Sequence, residues 1–464
     1  MNSLRISGMQ HKVLYDHLFP GDGNEAVAIL LCGRSQSQGR HTLLVREVIP
    51  VPYEVCIERR PDYVHWPTDF INPLLEKAVK WHMALVKIHC HPGGYNSFSE
   101  LDDESDSLLF TSIHAWLDDG LPHASCVMLP DGEIFGRFFH HDMALEKIHE
   151  ISVLGSNFLK WKYSKEPVFI DTSAQERNLQ TFGRGTTKLL NELKVAVIGC
   201  SGTGSPTVEM LARHGVGTLV IVDPDYVDTL NLNRIIGSTK EDAIAKRLKV
   251  DVMERTVQMM GFGTKVIKYA SNIVSKKIIK ELSGCDFLFG CVDSAEGRHV
   301  MNLISSYYLI PLIDMGVKLD ADGFGGIERI NGSVHYIQPG GSSLLSKEVY
   351  DLEKVRAEGI KRLDEEEFHR NGYLAAVGES SPAVISINMQ VAAAAVIEFL
   401  ARIHPFRNEP NESVDTVRLN ISDGLVCGES DPAPCPFFNK FIGKGDIEPL
   451  LGLVELSENV EKAF

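Results

Sequence analysis

The chain has 464 residues, of which 44% are apolar and 23% charged, the profile of a soluble globular protein with room for roughly two or three domains. A formal net charge of −16 argues against nonspecific nucleic-acid binding. Met1-Asn-Ser-Leu-Arg-Ile-Ser-Gly8 carries no signal-peptide core, and nine scattered cysteines form no C-x-x-C pair, so a reducing cytoplasm is expected, without a disulfide framework, a four-cysteine zinc site or a membrane partner.

In chain order, strands are predicted at Ala26–Cys32, Thr42–Ile49, Ala84–His89, Ser125–Leu129 and Glu133–Phe139, around helices near Pro73–Met83 and Leu101–Asp118. The strand at 84–89 runs into His89-Cys90-His91-Pro92, and Ser99-x-x-Asp102 follows after six residues. Residues i and i+2 of a strand share a face, so His89 and His91 converge while Cys90 points away. Asp102, at the start of the next helix, adds a carboxylate. Two imidazoles and a carboxylate with one position open are the donor set of a catalytic zinc site. His140-His141-Asp142 lacks converging spacing and reads as a solvated loop.

These spacings resemble the JAMM (JAB/MPN) metalloproteases, which cleave peptide or isopeptide bonds after ubiquitin-like proteins. The resemblance implies zinc on His89, His91 and Asp102, a general base upstream, and Ser99 steadying an oxyanion. Glu25, just before the first buried strand, suits the base best, with Glu47 and Glu54 as alternatives. Cys90 stands where the family has Ser or Thr.

A boundary is expected between about Lys147 and Arg177, giving domains at 1–155 and 156–464. Beyond it, strand Lys194–Ile198 enters Gly199-Cys-Ser-Gly202-Thr-Gly204, a helix runs from Ser205 to about His214, and strand Thr218–Val222 ends at Asp223-Pro224-Asp225. This is a nucleotide-binding βαβ unit: glycines let backbone N–H groups approach phosphate, and the acid suits a ribose hydroxyl. Ser201 stands where a dehydrogenase fingerprint has its second glycine. Asn231-Leu-Asn-Arg234 follows, then Lys249 opening an amphipathic helix, strand Phe287–Val292 ending at Asp293, and Arg298; Glu176-Arg177 lies upstream. Gly332–Pro339 reads as a later strand, Ser346–Phe368 as an exposed acidic helix or crossover, and Ala383–Ile403 as a buried helix rather than a membrane span.

The ordered set from about 170 to 425 resembles the ThiF/MoeB/HesA adenylyltransferases and the adenylation domains of ubiquitin-activating enzymes. The overall expectation is an α/β chain: a JAMM-type mixed α/β domain, then a Rossmann-like doubly wound adenylation domain. The resemblance implies that Gly199, Gly202 and Gly204 line ATP, Asp223 holds the ribose, Asn231 and Arg234 contact phosphates, and Asp293 binds Mg²⁺. Lys249, with Lys246 as the alternative, would neutralise the reacting phosphate. Arg177 would reach into a partner subunit's site, implying a homodimer.

Two departures from that family stand out. No C-x-x-C pair is present for its structural zinc, and no cysteine from Val292 to Val426 can carry a thioester, leaving Cys427 and Cys435. The implied function is adenylation of the C-terminal glycine of a ubiquitin-like or sulfur-carrier protein, joined to zinc-dependent processing of that protein, with a separate conjugating protein as acceptor. Such fusions resemble bacterial ubiquitin-like modification systems, some linked to antiphage defence. The alternatives are a sulfur-carrier activator in cofactor biosynthesis and a non-catalytic scaffold that binds a ubiquitin-like fold.

Overall fold

Unbroken apolar runs such as Val27–Cys32 need cover on both faces of a sheet. The structure, a computed structural model, describes residues 2–37, 39–163, 175–322, 324–363, 384–431 and 433–457. Parts of two expected features, the boundary near Lys147–Arg177 and the acidic stretch ending at Phe368, lie outside the described residues, as does Ala383. The chain divides into one unit of residues 1–166, 307–309 and 441–464 and another of residues 167–306 and 310–440. Residues 441–464, read above with the second domain, thus group with the first unit.

The first unit runs β1 (Asn2–Ser7), α1 (Gly8–Leu18), β2 (Val27–Ser37), β3 (Arg40–Pro50), β4 (Glu58–Arg60), β5 (Tyr63–His65), α2 (Asn72–Trp81), β6 (Ala84–Cys90), α3 (Glu100–Leu117), β7 (His123–Met128), β8 (Ile134–Phe139), β9 (Leu145–Lys147), β10 (Glu150–Leu154) and β11 (Phe158–Lys162). Nine strands form one mixed sheet in the order β11-β10-β1-β3-β2-β6-β7-β8-β9, and β4–β5 is a separate hairpin. Alternation along β2 sends Ala28, Leu30 and Cys32 into a core with Leu14 and Leu18 of α1. It sends Val27, Ile29 and Leu31 into a second core with Leu75 of α2 and Phe110 and Ile113 of α3. Each Val, Leu, Ile or Phe buried in this way contributes about 1.5–3 kcal/mol. Along β6 the same alternation puts Val86, Ile88 and Cys90 under α1. Leu85, Lys87 and His89 therefore face α3.

β2 pairs with β6 only as far as Cys32. Beyond that point residues 443–446 lie along it: Gly445 bridges Arg34 in parallel, Asp446 N donates to Arg34 O at 2.7 Å, and Gln36 N donates to Asp446 Oδ2 at 2.7 Å. A Cβ on Gly33 would run into the carbonyl oxygens of Gly443 and Lys444, so this approach requires glycine.

The second unit runs α4 (Glu176–Glu192), β12 (Lys194–Ile198), α5 (Gly204–Arg213), β13 (Thr218–Val222), α6 (Lys240–Ile244), α7 (Lys249–Met260), β14 (Lys265–Tyr269), α8 (Lys276–Leu282), β15 (Phe287–Gly290), α9 (Ala295–Tyr308), β16 (Leu312–Ala321), β17 (Ile327–Ile337), α10 (Leu352–Leu363), α11 (Ile385–Ile403), β18 (Thr416–Asn420) and β19 (Leu425–Glu429). Its sheet has the order β14-β13-β12-β15-β16-β17-β18-β19. The strands from β14 to β16 are parallel and those from β16 to β19 antiparallel. Strand order reverses between β12 and β15, and the crevice beyond their carboxyl ends is where open α/β sheets bind ligands. Among the described residues α11 alone is long and apolar enough to cross a membrane. Its Val391, Ala392, Ala395 and Phe399 are buried, and it packs on α5 and β16.

Candidate functional sites

In the first unit, four sequence-predicted residues meet. His89 comes from β6 and His91 from the residue beyond it, whose N–H still donates to Met128 O of β7 at 3.1 Å. Asp102 enters from the first turn of α3. Their ring nitrogens His89 Nε2 and His91 Nε2 are 3.1 Å apart, and Asp102 Oδ1 and Oδ2 lie 3.0 Å and 3.6 Å from them, respectively. Glu25 Oε1, just ahead of β2, is 4.0 Å from His91 Nε2. Ligand atoms of Glu25, His89 and His91 all lie within 4.8 Å of one another, a group able to hold a metal ion. Both carboxylates are thus in reach, and Asp102 is the nearer. The imidazoles and carboxylates present suit zinc by donor type.

Local structure explains the convergence. Tyr95 O lies 2.6 Å from His91 Nδ1, which fixes the ring with Nε2 inward. His89 Nδ1 is buried without a partner among the described residues. Ser99 caps α3: its hydroxyl donates to Asp102 Oδ2 at 2.8 Å and accepts from Asp102 N at 3.1 Å. That hydroxyl proton is therefore directed at Asp102, and an oxyanion role for Ser99 requires it to turn away. Cys90 points to the opposite face, where Sγ donates to Leu18 O at 2.9 Å. Arg59 of β4 donates to Glu25 O at 2.9 Å and ties the hairpin to the Glu25 backbone. The alternatives Glu47 and Glu54 are not in this group; Glu47 pairs with Lys77.

Burial would raise the Asp102 carboxyl, but hydrogen bonds from His89, His91 and Ser99 hold it far below the usual carboxylate range. Glu25 is pushed up to about 8, chiefly by burial, with the Asp102 charge adding and His91 and Lys87 opposing. A carboxyl poised there can take and return a proton near neutral pH. A groove of about 570 Å³ opens beside these residues, walled by Tyr63, Trp66 and Leu75 on one side and Leu101, Leu108 and Trp116 of α3 on the other.

In the second unit, Gly199–Gly204 turns at the end of β12. Gly199 has φ +93°, and a Cβ there would strike Cys291 O just beyond β15. Asp223, 4% exposed at the end of β13, accepts from Cys200 N at 2.7 Å and Asp225 N at 2.9 Å. Its carboxylate thus braces the glycine turn. Lys249 Nζ lies 2.7 Å from Asp225 Oδ2 and 3.8 Å from Asp223 Oδ1, and Lys249 is 6% exposed. Lys246 instead pairs with Asp228 on the surface. Half-buried Arg234 passes beside Gly202, within 3.3 Å of where its Cβ would be. Asn231 closes a capping box with Asp228. Asp293 is exposed between β15 and α9, and Arg177, exposed on α4, contacts Gln180.

Residues 173–423 match the family model of the ThiF family. The chain belongs to the ThiF family. Residues 10–139 match the model described as prokaryotic homologs of the JAB domain, so one chain carries both domains. The ThiF portion is similar to the adenylyltransferase and sulfurtransferase UBA4 of Meyerozyma guilliermondii, with 32% identity over 144 residues, 31% of this chain and 33% of that one. It is also similar to ubiquitin-like modifier-activating enzyme 5 of Arabidopsis thaliana, with 30% identity over 168 residues, 32% of this chain and 36% of that one. The chain spans about a third of the length of these two curated relatives. Among solved structures, E. coli MccB with ATP overlays at a TM-score of 0.43 and 17% identity, over 58% of this chain and 75% of that one.

Two residues of the ThiF site carry no motif. Asn388 of α11, 5% exposed, packs its amide against Gly202. Asp314 of β16 is fully buried, accepts from Arg298 Nε at 3.2 Å through Oδ1, and leaves Oδ2 without a partner among the described residues. Burial pushes its carboxyl up to about 6 against the pull of Arg298. The one signal for Asp314 is an acid inside the apolar strand Leu312-Ile-Asp-Met-Gly316.

Proposed function

We propose that the chain is bifunctional: its ThiF unit adenylates the C-terminal glycine of a ubiquitin-like or sulfur-carrier protein using ATP, and its JAB unit is a zinc-dependent peptidase or isopeptidase acting on that carrier. The observation that carries the reading is the glycine turn of a ThiF chain at the strand-order reversal, with Lys249 beside Asp223 and Arg234 beside Gly202.

The carrier's carboxylate attacks the α-phosphate of ATP and pyrophosphate leaves, so negative charge builds on phosphoryl oxygens. Positioned cations and backbone donors then stabilise the transition state. The turn from Gly199 to Gly204 offers the donors, and Lys249 and Arg234 the charge. Asp293 would hold Mg²⁺. Arg177, exposed on α4, would reach the same site of a second copy in a homodimer. Cys427 is exposed on β19 and Cys435 is buried. In this reading the adenylate passes to a separate conjugating protein or sulfur donor, with exposed Cys427 as the alternative acceptor.

In the JAB unit, His89, His91 and Asp102 would hold zinc, which supplies an acidified water when bound. Glu25 accepts that proton and returns it to the leaving amine. Ser99 keeps Asp102 in place. The groove beside them, walled by Trp66 and by Leu101, Leu108 and Trp116 of α3, would receive the carrier's tail.

ATP–pyrophosphate exchange with candidate carriers ending in glycine tests the reading, with Asp293→Ala as the control. Exchange that needs the carrier and disappears in the variant is expected; no exchange with any such carrier overturns adenylation. Similarity to UBA4 favours a second reading, activation for sulfur transfer. Mass spectrometry separates the two, because a C-terminal thiocarboxylate on the carrier marks sulfur transfer and a lysine conjugate marks ligation.

A further inference from the structure

Beneath the JAB donor set lies a group of charges that the reading above does not use. Lys87, two residues before His89 on β6, shares its face. Its Nζ lies 2.7 Å from Asp106 Oδ1. Asp106 stands one helical turn beyond Asp102 on α3 and has no exposed surface. Its Oδ2 accepts from Arg137 Nη2 of β8 at 2.9 Å. Arg137 also pairs with Asp103 and lies 3.8 Å over the Phe98 ring.

The spacing of these groups is commensurate. Four helical residues rise about 6 Å, and two strand residues advance about 6.6–6.8 Å. Asp102 and Asp106 on the helix therefore stand opposite His89 and Lys87 on the strand as two rungs, at 3.0 Å and 2.7 Å. The apolar contacts of Leu109, Phe110 and Ile113 hold α3 on the sheet but are themselves nondirectional. A slip of one turn would bring Asp106 to His89 and leave Lys87 buried without its partner. Charge-assisted hydrogen bonds are directional, and buried ion pairs are better attested as setters of arrangement than as sources of stability.

Resting on the zinc reading above, we propose that Lys87, Asp106 and Arg137 are positioning residues that set the register of α3 on β6, so that Asp102 and not Asp106 reaches the imidazoles. They act on metal affinity through Asp102 and touch neither metal nor substrate.

The test measures zinc dissociation constants on the full chain by competition with a chromophoric chelator, for wild type, Lys87→Met and Lys87→Met/Asp106→Leu. Visible spectra of the cobalt-loaded proteins and thermal unfolding of the metal-free proteins accompany it. The double variant removes Lys87 and Asp106 together and leaves Arg137 its pair with Asp103, which limits unfolding by an unpaired ion. Expected is a metal affinity about 10- to 100-fold weaker, altered cobalt bands and near-wild-type unfolding of the double variant. Wild-type affinity and spectrum in both variants would overturn the proposal. So would failure of both to fold, because the network would then hold the unit together rather than aim α3. A wild-type protein that binds no zinc, or binds it equally after His89→Ala, would instead remove the zinc reading itself.

Discussion

Replacing Asp314 with asparagine should stabilise the second unit at pH 8 and do much less near pH 4. In the folded chain burial raises this carboxyl from 3.8 to about 6. Below 3.8 both the folded and the unfolded chain hold the proton, and the contribution to stability is complete. Between 3.8 and 6 the unfolded chain has released it and the folded chain has not, so stability falls by about 1.4 kcal/mol per pH unit. Above 6 the loss is complete, at about 3 kcal/mol. Asparagine keeps an oxygen for Arg298 Nε and has no proton to lose. The stability gap between variant and wild type should therefore widen by about 2–3 kcal/mol from pH 4 to pH 8. Urea unfolding reads it. All four tryptophans, at 66, 81, 116 and 161, lie in the first unit, so fluorescence follows that unit alone while far-UV circular dichroism follows both. The transition silent in fluorescence belongs to the second unit. A gap that is constant with pH, or wider at pH 4, would refute the reasoning.

Gly199→Ala puts a methyl group against Cys291 O at positive φ; a stability loss of about 1–3 kcal/mol and absent ATP–pyrophosphate exchange are expected, read by unfolding and by isotope exchange. Lys249→Ala should lower exchange about 10²- to 10³-fold, while Lys246→Ala, breaking a surface pair, changes it little. Glu25→Gln should retain zinc by metal analysis yet hydrolyse a carrier extended beyond its glycine about 10²- to 10⁴-fold more slowly.

The histidine pair and Asp102 were legible because two periodicities meet there: two on a strand, and the S-x-x-D start of a helix. The same Ser99 spacing also encodes a capping box, and one string of letters cannot tell the two uses apart. Helices α2 and α3 lie within a few residues of expectation, and α7 opens at Lys249 as expected. Strands β4, β5 and β9 hold three residues each, too few for any alternation to register. β1 pairs with residues near 42 and 150, so its place is set by distant chain. Asp223 was read for ribose; the further contacts of its oxygens with the N–H groups of Cys200 and Asp225 are visible only once the turn is folded. Lys87 and Asp106 left one trace, a charge within an otherwise buried face.

The residues that lie along β2 beyond Cys32 have a bearing on the order of events during synthesis. Residues 1–166 leave the ribosome first and already pair Arg34 with β3, but on its other edge Arg34 O meets Asp446 N only when that residue arrives. Until then the edge of β2 at Gly33–Ser35, past the end of its pairing with β6, is open to pairing with other chains. A protein cut after residue 166 would keep that margin permanently, and would be expected to need its tail supplied as a peptide to stay in solution.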